Sequence, residues 1–171
     1  CMGACPVQVI TFPDYSPMIF KEMMESIEMP DEFDEKPRIL VFVCENDALP
    51  VFDMAAQNRI KISNSIRIIP MRCLGGVNLV NVSDAMSVGY DGIMFMGCKY
   101  GDDYQCHFSQ GSELCNTRLS KVQETIGRLG LEPERVKQFE ISMNDFVQLP
   151  QIIKDFQEEI DELGPNPFKG M

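Results

Sequence analysis

The sequence is short of histidine, of positive charge and of long apolar runs, and each shortage removes a class of function. His107 is the only histidine, so a two-histidine metal face, a Rieske-type cluster and HExxH chemistry are all excluded. Fifteen Lys and Arg stand against 26 Asp and Glu, for a net charge of −11. A surface for nucleic acid or for an anionic membrane needs the opposite sign. The longest apolar runs, such as residues 39–43, are about a quarter of the roughly 20 residues a membrane-spanning helix needs. No basic-then-apolar leader opens the chain, so the default expectation is a cytoplasmic protein. No Gly-rich phosphate fingerprint opens any expected helix, and no nucleophile elbow supports Ser/His/Asp chemistry.

What is present describes one globular domain with some extra chain at an end: 171 residues, 44% hydrophobic and 24% charged. A domain of this length buries roughly 70% of its unfolded surface and needs no disulfides. Seven cysteines are present, an odd number that no closed disulfide framework uses up, and a reducing compartment is expected. Thiols kept reduced are core fillers, metal ligands or redox groups, and any metal site here would be built mostly of thiolate. The chain begins with Cys1 where a complete protein begins with Met, so it is expected to be a piece of a longer one.

Residues 1–36 differ from the rest. Cys1-Met2-Gly3-Ala4-Cys5-Pro6 leads into a β-like run over 7–12. Ser16-Pro17 then supplies an N-cap and first-turn proline for a helix with apolar face Phe20, Met23, Met24 and Ile27. The acidic, proline-bounded stretch 30–37 reads as a linker. The expected division is therefore 1–36 as a truncated ferredoxin-type segment, helix and linker, and 37–171 as an α/β domain. In the latter, a continuous apolar strand over 39–43 is covered on both faces. Further strands are expected over 65–71, 92–96 and 136–141. Helices are expected over about 49–61, over 78–88 with Gly89 as C-cap, from a Ser112 cap to Gly130, and from about Pro150 onward. Alternation of this kind implies an α/β fold: about four parallel strands with helices on both faces.

In an open parallel sheet, ligands bind beyond the carboxyl ends of the strands. Cys44 follows the first strand, Cys73 lies two residues past the second, Cys98 closes the third and Cys106 sits in the loop after it. Four thiols from three βα junctions thus fall on the edge where this architecture builds sites. Gly75, Gly76, Gly97 and Gly101 would allow close backbone approach there. Four thiolates suffice for Zn²⁺ or an iron–sulfur cluster, although buried cysteines also serve as small hydrophobes. Cys115, on a helical stripe with Leu119, Val122, Ile126 and Leu129, reads as core. His107 is a ligand, a second-shell donor or an exposed loop residue; Asp102 and Asp103 read as solvated loop acids. Cys1 and Cys5 form the second half of a CxxCxxCxxxCP motif, a remnant too short to hold a 4Fe–4S cluster alone.

At Phe42-Val43-Cys44, Met71-Arg72-Cys73, Gly97-Cys98-Lys99-Tyr100-Gly101-Asp102 and Cys106-His107-Phe108 the sequence resembles the delta subunit family of methyl-viologen-reducing hydrogenase. The resemblance covers about 38–165 and continues through Leu163-Gly164-Pro165-Asn166-Pro167. With Cys-Glu-Asn-Asp at 44–47 and the run 97–107, it is nearest to the C-terminal domains of heterodisulfide-reductase-A-like B subunits of quinone-interacting membrane-bound oxidoreductases. The resemblance implies a 2Fe–2S cluster on Cys44, Cys73, Cys98 and Cys106, with FAD and 4Fe–4S clusters belonging to the full-length protein. It implies electron transfer without independent catalysis, in a sulfate-reduction complex held to the inner face of the membrane by its partners. Those partners would be a flavoprotein, adenylylsulfate reductase and a membrane haem subunit. The family's second cysteine falls at Asp47, an arginine of the family falls at Gly76, and residues 103–105 lengthen the spacing between Cys98 and Cys106. A metal-free docking module is the alternative reading, and structural zinc a further one.

Overall fold

The computed structural model describes residues 5, 9–28, 37–101, 106–108, 110–128 and 130–168. Four parallel strands, β1 (Ile39–Cys44), β2 (Ile66–Met71), β3 (Gly92–Cys98) and β4 (Val136–Ile141), form one sheet in the order β2-β1-β3-β4. Every residue of β1 and β3 is buried, as their unbroken apolar runs require of central strands. The edge strands β2 and β4 carry the polar positions. The α-helices among the described residues are α1 (Pro17–Ser26), α2 (Ala48–Gln57), α3 (Leu79–Val88), α4 (Gly111–Arg128) and α5 (Leu149–Leu163).

Two glycines of β3 show that both faces are covered. A Cβ on Gly92 would strike Phe156 and Ile160 of α5, and one on Gly97 would strike Leu74 and Ser112 of α4's side. Positions an odd number apart on a strand point to opposite faces. Helix α2 touches α5, while α1 packs on α3. Tyr15, Phe20 and Met24 of the N-terminal segment lie in the same core as the strands, with Phe20 edge-on to Phe42, which stacks on Phe95 at 5.1 Å.

Local chemistry explains where elements end. Helix α3 starts at a reciprocal Asn78/Asn81 capping box and stops at Gly89, in the left-handed region at φ 112°. Helix α2 stops at Gln57 rather than near 61. The cause is a Schellman turn, with Ile60 N–H bonded to Ala55 O, Arg59 N–H to Ala56 O, and Arg59 itself at φ 57°. Ser112 is not a cap: α4 begins one residue earlier, at Gly111, and Ser112 is buried in its first turn. The strand expected over 7–12 is absent from the described residues 9–12. Only a bridge between Phe12 and Tyr15 forms there, around Pro13, which has no N–H to give to a ladder.

The opposite end of the sheet is closed by a buried polar clasp. Asp91 accepts hydrogen bonds from Arg38 N (2.9 Å), Arg38 Nε (3.2 Å), Arg38 Nη2 (3.3 Å) and Asn166 N (2.9 Å). Arg135 Nη1 donates to the carbonyls of Asp91 (3.0 Å) and Gly164 (2.9 Å), and Asn166 Nδ2 to those of Met86 (2.8 Å) and Tyr90 (2.9 Å). This network anchors the closing Leu163 to Pro167 turn beneath the strands.

Candidate functional site

The strand order fixes where a site belongs. After β1 the chain crosses to β2 on one side, and after β3 it crosses to β4 on the other. The connections therefore diverge between the carboxyl ends of β1 and β3, the switch point at which open α/β sheets hold ligands. Cys44 is the last residue of β1 and Cys98 the last of β3. Their sulfurs are 3.6 Å apart, so the sheet itself brings this pair together.

The second pair comes from loops. Cys73 caps the 3₁₀ turn Leu74–Gly76, and its Sγ accepts the Gly75 N–H at 3.4 Å. Cys106 is buried. A Cβ on Gly111, the first residue of α4, would lie 2.3 Å from Cys73 Sγ and 3.1 Å from Cys106 Sγ. Helix α4 thus enters the site at a position that only hydrogen can occupy, with both sulfurs closed over it. Gly75 abuts the same backbone, its would-be Cβ 3.2 Å from Gly111 Cα. Of the glycines expected to make close approaches, Gly75 and Gly97 do so. Gly76 would meet nothing nearer than the Tyr15 hydroxyl at 3.7 Å, and Gly101, at φ 98°, has open space.

The electrostatics of the two pairs differ. The hydrogen bond from Cys98 holds the Cys44 thiol down at about 6, against its burial and helped by the amides of Asn46 and Asp47. The same bond pushes Cys98 far up, with burial and the charges of Cys44 and Asp47 adding to it. The pair therefore gives up one proton readily and keeps the other. Burial pushes Cys73 to about 11, against the Gly75 amide and with Cys106 adding to the rise. Asp47 N-caps α2 without a side-chain cap bond, and its Oδ2 is buried with no hydrogen-bond partner.

The four thiols form two pairs rather than a nest around one point: among the described residues, no three His, Cys, Asp or Glu side chains gather about a single ion position. Paired thiolates are what a two-iron cluster takes, two per iron. The Gly111 cradle, which any Cβ would fill, and the all-thiol donor set fit such a group. Cys115 is fully buried on the α4 stripe and its pKa is raised by burial, as a core filler's would be. His107 is exposed, Cys5 is half-buried, and Cys1, Asp102, Asp103, Tyr104 and Gln105 lie outside the described residues.

Three contributors carried little signal in the sequence. Gly111 is an ordinary-looking glycine before a helix. Arg118 sits on the half-buried side of α4 and donates to the carbonyls of Gly75 and Val77. Tyr15, buried with its ring 5.5 Å from the Arg72 guanidinium, covers the Cys73 loop from the N-terminal segment, and burial raises its pKa to about 12. No helix among the described residues is long and apolar enough to cross a membrane.

Residues 39–164 match the family model described as methyl-viologen-reducing hydrogenase, delta subunit. The chain is 30% identical over 129 residues to the A subunit of the ferredoxin/F(420)H(2)-dependent CoB-CoM heterodisulfide reductase of Methanosarcina acetivorans. It is 28% identical over the same length to the A subunit of the ferredoxin:CoB-CoM heterodisulfide reductase of Methanosarcina mazei. These alignments cover 75% of this chain but only 16% of each of those subunits. The iron-sulfur D subunit of the F(420)-non-reducing hydrogenase of Archaeoglobus profundus is 28% identical over 134 residues, 78% of this chain and 96% of that relative. The match spans well over half of the chain, and the chain belongs to the methyl-viologen-reducing hydrogenase delta-subunit family, a hydrogenase-delta and heterodisulfide-reductase-A-like electron-transfer module.

Proposed function

We propose that this chain is the electron-relay module of a heterodisulfide-reductase-A-like subunit, with Cys44, Cys73, Cys98 and Cys106 as ligands of a 2Fe–2S cluster. The observation that carries the reading is the placement of two thiol pairs at the carboxyl edge of the sheet, Cys44 and Cys98 at 3.6 Å and Cys73 and Cys106 over Gly111. Such a cluster would supply one-electron transfer. The chain's own part is to present thiolates, direct amides at them and exclude water. Cys44 is already inclined to the thiolate, Gly75 N–H points at Cys73 Sγ, and Leu74 and Ser112 wall the floor beside Gly97. No acid, base or nucleophile is required, consistent with a module that is not catalytic alone.

The finer setting is part of the same proposal. The run Cys44-Glu45-Asn46-Asp47 and the stretch 97–107 favour the quinone-linked complex of sulfate reduction. Its proposed partners are a flavoprotein, adenylylsulfate reductase and a membrane haem subunit, at the cytoplasmic face of the membrane. The 4Fe–4S clusters and FAD are assigned to the rest of the full-length protein. The test is iron, zinc and acid-labile sulfide analysis with a visible spectrum on protein purified without oxygen. Iron and sulfide in near-equal amounts, lost in Cys98→Ser and Cys106→Ser, are expected. Zinc without sulfide would make the thiols a structural clamp. Neither metal in a folded chain would overturn the relay and leave a docking module.

A further inference from the structure

We propose that Arg118 is a positioning residue that raises the reduction potential at Cys73, an inference that rests on the cluster reading above. Arg118 lies seven residues along α4 from Gly111, two helical turns, and therefore on the same face of the helix. From there its Nη1 reaches back to the Cys73 loop, donating to the carbonyl of Gly75 and, at 3.0 Å, to that of Val77. Gly75 is also the residue whose N–H points at Cys73 Sγ. In the turn 74–76 Leu74 is buried in the core, but the two glycines that follow have no side chain to fix their peptide planes. One guanidinium thus holds the carbonyl of Gly75, in the middle of the turn, and that of Val77, just past its end, and through Gly75 steadies the adjoining amide that points at the sulfur.

The same contact brings a charge that is never lost. Arginine stays protonated at any working pH, and Arg118 is half-buried, so solvent screens it less than a surface lysine. Adding an electron to a thiolate-held cluster increases local negative charge. A fixed cation and an aligned N–H both favour that state, and hydrogen bonds to ligand sulfur are a recognised control of cluster potential. A residue serving only to hold α4 against the loop would change stability and leave the potential where it was.

The experiment compares the intact wild-type protein with Arg118→Gln and Arg118→Lys, purified without oxygen. It measures iron, acid-labile sulfide and midpoint potential by mediated dithionite titration. Arg118→Gln is expected to keep its iron and sulfide and to be at least tenfold harder to reduce, about 59 mV for one electron. Arg118→Lys keeps the charge but loses the two-carbonyl fork, and is expected to shift the same way by a smaller amount. A potential unchanged in Arg118→Gln with full iron overturns the proposal, as does loss of iron in both variants in step with loss of fold. A wild-type potential in Arg118→Lys overturns it even where Arg118→Gln does not fold. Wild-type protein without iron and sulfide overturns the cluster reading itself.

Discussion

Replacing Gly111 by alanine tests the cradle without touching a thiol. The added carbon would sit 2.3 Å from Cys73 Sγ and 3.1 Å from Cys106 Sγ, where non-bonded heavy atoms rest at about 3.5–4.0 Å. Cys73 would have to move by roughly 1 Å or the helix would have to retreat. A retreating helix would open the packing of Gly111 against the Gly75 turn, and a displaced Cys73 sulfur leaves the Gly75 N–H. Overpacking of this kind costs about 1–3 kcal/mol, and alanine's helix preference over glycine returns at most about 1 kcal/mol. With the full return, the expected net loss is about 0–2 kcal/mol, against a gain for the control below. Gly127 on the same helix is the control. Its would-be Cβ meets only Pro133 Cγ at 3.4 Å, so Gly127→Ala should gain about 0.5–1 kcal/mol. Urea unfolding of the reduced, metal-free chain measures both, and iron and sulfide content of the anaerobic protein should fall in Gly111→Ala alone. Equal stability of the two variants with equal iron would refute the argument.

Two further outcomes follow from the charged groups. Asp91→Ala strands the Arg38 guanidinium, whose pairing with Asp91 is almost wholly buried at 3% exposure for each partner; a loss of about 3–5 kcal/mol is expected in thermal or urea unfolding, and a loss below about 1 kcal/mol would count against a tightly paired clasp. Asp145, although burial pushes its carboxyl up, is held below its ordinary 3.8 by Lys99 and by the backbone and hydroxyl of Ser142. A depressed carboxylate contributes stability that is complete above its unfolded pKa and lost as pH falls through its folded one. As pH falls below about 4, wild type should therefore lose stability more steeply than Asp145→Asn; parallel unfolding curves there would contradict the Lys99 pairing.

The sheet was legible because central and edge strands carry different patterns. Residues 39–43 and 93–96 are apolar throughout, as strands covered on both faces must be, and residue 89 carries a Gly stop. The end of α2 was less legible, since arginine occupies the left-handed position where glycine is customary. Placement of four cysteines on the carboxyl edge followed from topology alone. Their division into two pairs did not, because it depends on the Gly111 cradle and on a strand order that alternation of elements does not specify. Tyr15 was hidden for a different reason. It stands in a stretch that reads as a separate segment, yet it buries itself against the Cys73 loop through tertiary packing.

The clasp and the thiols occupy opposite ends of the same strands, and that separation has a consequence for interpreting variants. Strand β1 runs from Ile39, beside Arg38, to Cys44, about 17 Å at the ordinary rise of a strand. Effects at sites more than about 7–10 Å apart with no shared partners usually add, and the solvent Debye length is near 8 Å at physiological salt. Asp91 and its arginines therefore govern whether the sheet stays folded, while Arg118, Gly75 and Gly111 govern what the thiols experience once it is. A variant such as Asp91→Ala should lower the unfolding midpoint and leave the potential of the folded protein unchanged. Gly111→Ala and Arg118→Gln should register first in iron content and potential, respectively. An Asp91 variant that moved the potential as far as Arg118→Gln does would mean that the strands transmit strain along their length, and that the two ends are not separable.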